Sequence, residues 1–290
     1  MTPLEKASPR RHENVQFHSL RTIRAYAAEK PLDSRRYRGV SLPLPAPLTH
    51  MKPWQTIERA LSPAGAELVL ARRGEEWVVR LGGQVLMSSR VHGSEETLVQ
   101  YALERVARPR RVVIGGLGLG FTLRAALRLV PSDVHIQVVE LIPELVTWNR
   151  THLADLAGRP LEDARVLVRD GDVYDVIVKQ APPGLDLLVL DIDNGPSAMM
   201  QEANGRLYSE AGARKCANAL APGGVLALWS AAPDERYRRN LEAAGLTVEM
   251  KSVSARPGSG AKDVLFLATK GGGAAQRGEG VRRSGERRSR

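Results

Sequence analysis

A single cysteine, Cys216, stands among 290 residues, so no disulfide can close within the chain. The six histidines are scattered without ligand-like pairing, and no metal site is expected. No apolar run reaches the ~18 residues that would cross a bilayer, and the basic N-terminus lacks the apolar stretch of a signal peptide. These absences point to a soluble cytoplasmic protein with no membrane partner. A large excess of charge is also missing from the central body. The formal net charge is +10, but residues 1–40 carry nine Lys/Arg against four Asp/Glu and residues 271–290 carry six against two, which leaves +1 for residues 41–270. Nucleic-acid contact would therefore reside in the basic ends rather than in a shaped groove.

At 43% hydrophobic the chain can build a substantial core. Four segments are expected. Residues 1–50 form a basic leader, partly disordered, that ends in a Pro-rich stretch. Residues 51–90 form a small antiparallel β-domain, from the β-type runs AELVLARR, EEWVVRL and QVLMSS and the turn-prone residues between them. Residues 91–270 form the catalytic domain. Residues 271–290 are a Gly/Arg-rich tail too poor in large apolar side chains to order.

Within residues 91–270, apolar strands alternate with helical stretches, which predicts an α/β fold with a doubly wound, mostly parallel sheet. RVVIGG, HIQVVEL, ARVLVRD, LDLLVLDID and GGVLALWSA read as strands. FTLRAALRLV, PELVTWNRTHLADLA, SEAGARKCANALA and YRRNLEAAG read as helices. LTVEMKSV and KDVLFLATK, joined by RPGSGA, read as a hairpin that adds an antiparallel strand.

Gly116, Gly118 and Gly120 follow the first strand and open a helix, where a missing Cβ lets backbone approach a ligand. A dinucleotide fingerprint would need Gly or Ala at position 121, and Phe121 breaks it. The spacing G-x-G-x-G fits the nucleoside loop of S-adenosylmethionine-dependent transferases better. Ligands of open parallel sheets bind at the C-terminal strand ends, and each following strand here ends in acid. Glu140 is placed to accept ribose hydroxyls. Asp170 is placed to accept from an adenine amino group, with the neighbouring backbone N–H of Gly171 reaching a ring nitrogen; Asp172 is a candidate helix N-cap instead. Asp191 follows a strand buried on both faces and can take the proton of an attacking amine. Asp193 can hold a cationic substrate or cap the Gly195-Pro196 turn.

With these motifs in place, residues 54–270 resemble the spermidine synthase family. PRRVVIGGLGLGFTLR, VVEL, RDGD, DIDNGP and RLYSEAGARKCANALAPGGVLAL occur in the family's order. The resemblance implies a class I methyltransferase-like fold preceded by a β-domain, and a homodimer. It also implies transfer of an aminopropyl group from decarboxylated S-adenosylmethionine to a polyamine, with Asp191 as base. Two departures bear on substrate. Leu119 stands where the family loop GGGDGG carries its donor-binding Asp, which favours methyl transfer from S-adenosylmethionine and leaves the transferred group open. The family's gate DEFxYxE aligns without gaps onto RVHGSEE, so that Ser94 takes the Tyr position, Glu96 the last acid, and Glu95 is added beside it. Glu95, Glu96 and Asp193 are expected at an amine or polyamine acceptor. Tyr208 and Trp229 are candidates to pack on it, and His92 lies near the gate. The alternatives are an inactive nucleoside-binding relic, or a protein that binds nucleic acid through its tails.

Overall fold

The computed structural model describes residues 52–106, 108–192, 194–196, 204–254 and 262–272. The expected leader, the Gly/Arg-rich tail beyond Gly272, the whole loop RPGSGA and Asp193 lie outside the described residues. Two sheets are present. The first is a four-stranded antiparallel meander of β1 (Gln55–Leu61), β2 (Glu67–Arg73), β3 (Glu76–Leu81) and β4 (Gln84–Ser88). Gly65, Gly74, Gly82 and Gly83 sit in its turns with positive φ.

Helix α1 (Gly93–Leu103) leads into the second sheet. Its strands are β5 (Arg111–Gly115), β6 (His135–Glu140), β7 (Val166–Asp170), β8 (Leu185–Leu190), β9 (Leu220–Ser230), β10 (Leu246–Ser254) and β11 (Lys262–Lys270). The helices between them are α2 (Phe121–Leu129), α3 (Pro143–Arg150), α4 (Val173–Lys179), α5 (Gly205–Tyr208), α6 (Glu210–Ala219) and α7 (Glu235–Ala243). The order is β10-β11-β9-β8-β5-β6-β7. The antiparallel strand expected at the end of the sheet is β11, and it lies between β9 and β10 rather than at the edge. None of the described helices is long and apolar enough to cross a membrane.

Alternation along the strands makes both faces of this sheet apolar. Val113, Leu188, Leu190, Leu226, Leu228 and Phe266 share one cluster with residues of α4, α6 and α7. Val112, Ile114, Leu187, Val189, Val225 and Leu265 share the other with α1 and α2. A third cluster joins Leu68, Leu70 and Val79 of the small sheet to Leu119, Phe121, Leu145 and Trp148. The small sheet is therefore packed directly against the glycine loop, and Leu119 is one of the residues that hold it there.

Strand order reverses between β5 and β8, and this sets the position of the crevice. The strands leave it in both directions, β6 and β7 one way, β9 the other. At its floor the Asp191 N–H donates to the Gly115 carbonyl at 2.9 Å, which extends the ladder one step past the strands. Gly116, at φ +88°, lies so close that a Cβ would stand 2.0 Å from the Asp191 carbonyl oxygen. Gly118, at φ +54°, would place a Cβ no nearer than 3.7 Å to its first neighbour, Met87 Sδ.

The two glycines should therefore respond differently to alanine. Gly116→Ala is expected to lower stability by about 3 kcal/mol or more, from strain plus a backbone clash. Gly118→Ala should cost only roughly 1–2 kcal/mol, the penalty of its left-handed backbone. Urea unfolding of the two variants checks this; equal losses would contradict it.

Candidate active site

A cavity of about 300 Å³ opens at the switch point. Its floor is Gly116 and Gly118, its walls are the ends of β6 and β8 and the start of α4, and its rim comes from α1 and β4. Val85, Leu86, Met87 and Ser88 of β4 line it, so the small sheet supplies one wall. That role has no signal in the sequence, because the alternation in QVLMS describes a strand without saying what its exposed face meets.

Glu140 is the most enclosed acid, 5% exposed at the end of β6. Its carboxylate accepts from the Leu117 N–H at 2.7 Å and the Ile142 N–H at 2.9 Å, so it clamps the glycine loop to the turn that follows its own strand. Burial raises its proton affinity despite these donors. Asn149 of α3 helps from below, donating to the Gly118 carbonyl at 2.9 Å.

Asp191 follows β8 and lines the cavity. Thr122, 1% exposed in the first turn of α2, donates its hydroxyl to Asp191 Oδ2 at 2.6 Å. Burial raises the proton affinity of Asp191, and this hydrogen bond partly offsets the rise. Thr122 escaped sequence reading; its signal is a hydroxyl at a buried position in the first turn of FTLRAAL. Glu95, in the first turn of α1, also lines the cavity, and its proton affinity is raised strongly, first by burial and then by the charge of Asp191.

Several expected residues lie elsewhere. Asp170 ends β7, the edge strand, and is exposed outside the cavity; the acid that lines it two residues later is Asp172, beside Gly171. Asp172 caps α4 by accepting from the Tyr174 N–H at 2.7 Å and pairs with Arg206. Gly120 caps α2 and turns away from the cavity; a Cβ there would meet Asn149 Oδ1 at 3.0 Å and Ala157 at 3.1 Å. Glu96 faces α2, paired with Arg124 and 3.3 Å from His92 Nδ1. One helical step of about 100° separates it from Glu95, which is enough to send the two acids to different faces. His92 stacks on Phe121 with ring centroids 4.2 Å apart. Tyr208 is a core residue, 7% exposed and edge-on to Tyr237. Trp229 does line the cavity, and its indole N–H donates to Ser94 Oγ at 3.0 Å.

The described residues that line the cavity thus include four carboxylates, Glu95, Glu140, Asp172 and Asp191, and no Lys, Arg or His. Such a lining favours a cationic ligand and opposes an anionic group.

No family model matches the chain. It is 32% identical over 170 residues to the polyamine aminopropyltransferase of Mycobacterium tuberculosis H37Rv, which covers 58% of this chain and 31% of that one. It is 29% identical over 191 residues to the polyamine aminopropyltransferase of Aeropyrum pernix, covering 59% of this chain and 58% of the other. Putrescine N-methyltransferase 1 of Nicotiana tabacum is 35% identical over 134 residues, which is 45% of this chain and 33% of that one. The chain therefore spans a third to somewhat over half the length of these curated relatives. Among solved structures, spermidine synthase from Thermotoga maritima superposes with a TM-score of 0.61 at 17% identity, covering 74% of this chain and 72% of the other. Spermidine synthase in complex with the transition state analogue AdoDATO superposes with a TM-score of 0.60 at 18% identity, with the same coverage. By sequence the chain is a homologue of the polyamine aminopropyltransferases, and its fold is that of spermidine synthase.

Proposed function

We propose that the chain is an aminopropyltransferase that moves the aminopropyl group of decarboxylated S-adenosylmethionine onto an amine of a diamine or polyamine. The observation that carries this reading is the cavity lined by four acids and no cationic side chain among its described residues. The carboxylate of S-adenosylmethionine would enter that field without a counter-charge, whereas a decarboxylated donor and an amine acceptor are cationic throughout. The aminopropyltransferase relatives point the same way.

In this reading Glu140, already fixed by two backbone N–H groups, uses its remaining lone pairs for the ribose hydroxyls. Asp172 and Gly171 take the edge of the adenine, with Ile142, Leu145 and Val173 against its faces. The acceptor nitrogen must be neutral to attack. Asp191 takes its proton, and burial has already raised the affinity of this acid for one. As the new N–C bond forms, the C–S bond breaks and its electrons return to sulfur, leaving a neutral thioether nucleoside. Thr122 holds Oδ2, so Oδ1 is the oxygen presented to the amine.

A second reading, methyl transfer, is favoured by Leu119, which stands at the family's donor-binding Asp position and is 4% exposed in the packing between the loop and the small sheet. The putrescine N-methyltransferase relative supports it too. The acidic lining counts against it, since the methyl donor keeps its carboxylate.

The test is turnover of the decarboxylated donor with putrescine and longer polyamines, read as release of the thioether nucleoside. Asp191→Asn should lower kcat by about 100-fold or more with donor affinity nearly unchanged. Unaltered turnover would remove Asp191 from the mechanism.

The Thr122 contact makes a separate prediction. A base must be deprotonated to act, so the rate rises with pH through the pKa of Asp191, and a donor that stabilises the carboxylate keeps that rise at lower pH. Thr122→Val should shift the acidic limb of the pH–rate profile upward, and Thr122→Ser should restore it. A limb that stays in place in the valine variant would show that the contact is only structural.

A further inference from the structure

We propose that Trp229 sets the length of the acceptor: its indole, pinned by Ser94 and Asp263, closes the cavity on the β9 side and limits the amine to a short diamine. This rests on the reading of the cavity as an amine-alkylating site and goes beyond it, because it names the wall that selects among amines and the residues that hold the wall in place.

Strand order places the wall. In the proposed reading the nucleoside lies against the end of β6 and the start of α4, Asp191 follows β8, and β9 is the next strand on the far side. Trp229 is the lining residue of β9, and no described residue of β10 or β11 lines the cavity. An amine that attacks in line with the breaking C–S bond leaves its own chain on the side away from the nucleoside. That chain runs from Asp191 toward β9, where the indole stands.

The indole is held by a polar chain that crosses three elements. Its N–H donates to Ser94 Oγ at 3.0 Å, and Ser94, 2% exposed in the first turn of α1, keeps its own hydroxyl proton to donate. Asp263 of β11 is the acid hydrogen-bonded to Ser94 and Trp229. Trp229 pairs across the ladder with Leu265, and Asp263, two residues before Leu265, shares its face of the sheet. Asp263 therefore lies behind the wall, buried, with Oδ2 lacking a partner among the described residues. Anchoring the polar tip of an indole fixes the plane of its ring, which packing alone would leave freer to shift. The gate alignment supplies an independent observation. Ser94 stands at the position of the family's Tyr, and with Trp229 Nε1 3.0 Å from Ser94 Oγ the indole fills the space that a longer side chain at position 94 would need. The aromatic ring has passed from α1 to β9, and Ser94 is the small residue that admits it.

The experiment is calorimetric titration of the full chain with 1,4-diaminobutane and with 1,8-diaminooctane, beside alkyl transfer to the same two amines. Wild type should bind the shorter diamine more tightly, by about tenfold or more. Trp229→Ala should reduce that ratio by about tenfold or more, because the longer chain can then extend toward Asp263. Trp229→Phe keeps a ring but loses the N–H, so its ratio should lie between the two, and it carries the test if melting shows the alanine variant to be unfolded. Ser94→Ala and Asp263→Ala, which release the indole without removing it, should each lower the ratio by about threefold, the worth of one hydrogen bond. Adding Ser94→Tyr to Trp229→Ala should bring the ratio back to within about threefold of wild type, since the ring then returns from α1. A wild type without preference, a ratio unmoved in both Trp229 variants, or a wild type that binds neither diamine would each overturn the proposal. A ratio that moves as stated without alkyl transfer by wild type would keep the wall and remove the reaction assigned to the cavity. Alkyl transfer by wild type with an unmoved ratio would keep the reaction and remove the wall.

Discussion

The close approach of two backbones, at the ends of β5 and β8, underlies the whole site. Asp191 donates its N–H to Gly115, and its carbonyl lies where any side chain on Gly116 would have to go. The glycine is thus required by the protein's own packing before any ligand is considered. Its consequence is positional: the acid that follows the most buried strand is fixed beside the glycine loop, at the point where strand order reverses. From there the loop can rise toward β4 and α3, and Leu119 and Phe121 can bind the small sheet to the large one.

Electrostatics then divides the cavity into two halves. At the ends of β6 and β7, Glu140 and Asp172 are already satisfied by backbone N–H groups and an arginine, which fixes them as rigid acceptors. On the α1 side, among the described residues, Asp191 has one hydroxyl donor and Glu95 has no protein donor. The same burial raises the proton affinity of all three carboxylates at Glu95, Glu140 and Asp191. Their protein donors differ: two backbone N–H groups for Glu140, one hydroxyl for Asp191, and none among the described residues for Glu95.

Much of this was legible in the sequence. Strand alternation, the glycine spacing and the acids after strands gave the α/β class, the crevice and the positions of Glu140 and Asp191. What failed was phase and environment. RDGD contains two acids, and nothing local says that β7 is an edge strand whose last residue opens to solvent while the turn into α4 brings Asp172 back. SEE contains two acids as well, and α1 was not read as a helix, so its periodicity could not choose Glu95 over Glu96. Tyr208 was an open choice between core and cavity, decided by Tyr237, which meets it from α7. Gly120 belongs to the same spaced triplet as Gly116 and Gly118, but in the fold it serves helix capping and packing against Asn149 and Ala157.

If the proposed reading holds, a cavity whose described lining carries four acids and no cationic side chain selects an alkyl donor that lacks a carboxylate. Parallel calorimetric titrations of the protein with S-adenosylmethionine and with its decarboxylated form test this most directly. The decarboxylated donor should bind more tightly, by about tenfold or more. Equal affinities, or a preference for S-adenosylmethionine itself, would contradict it.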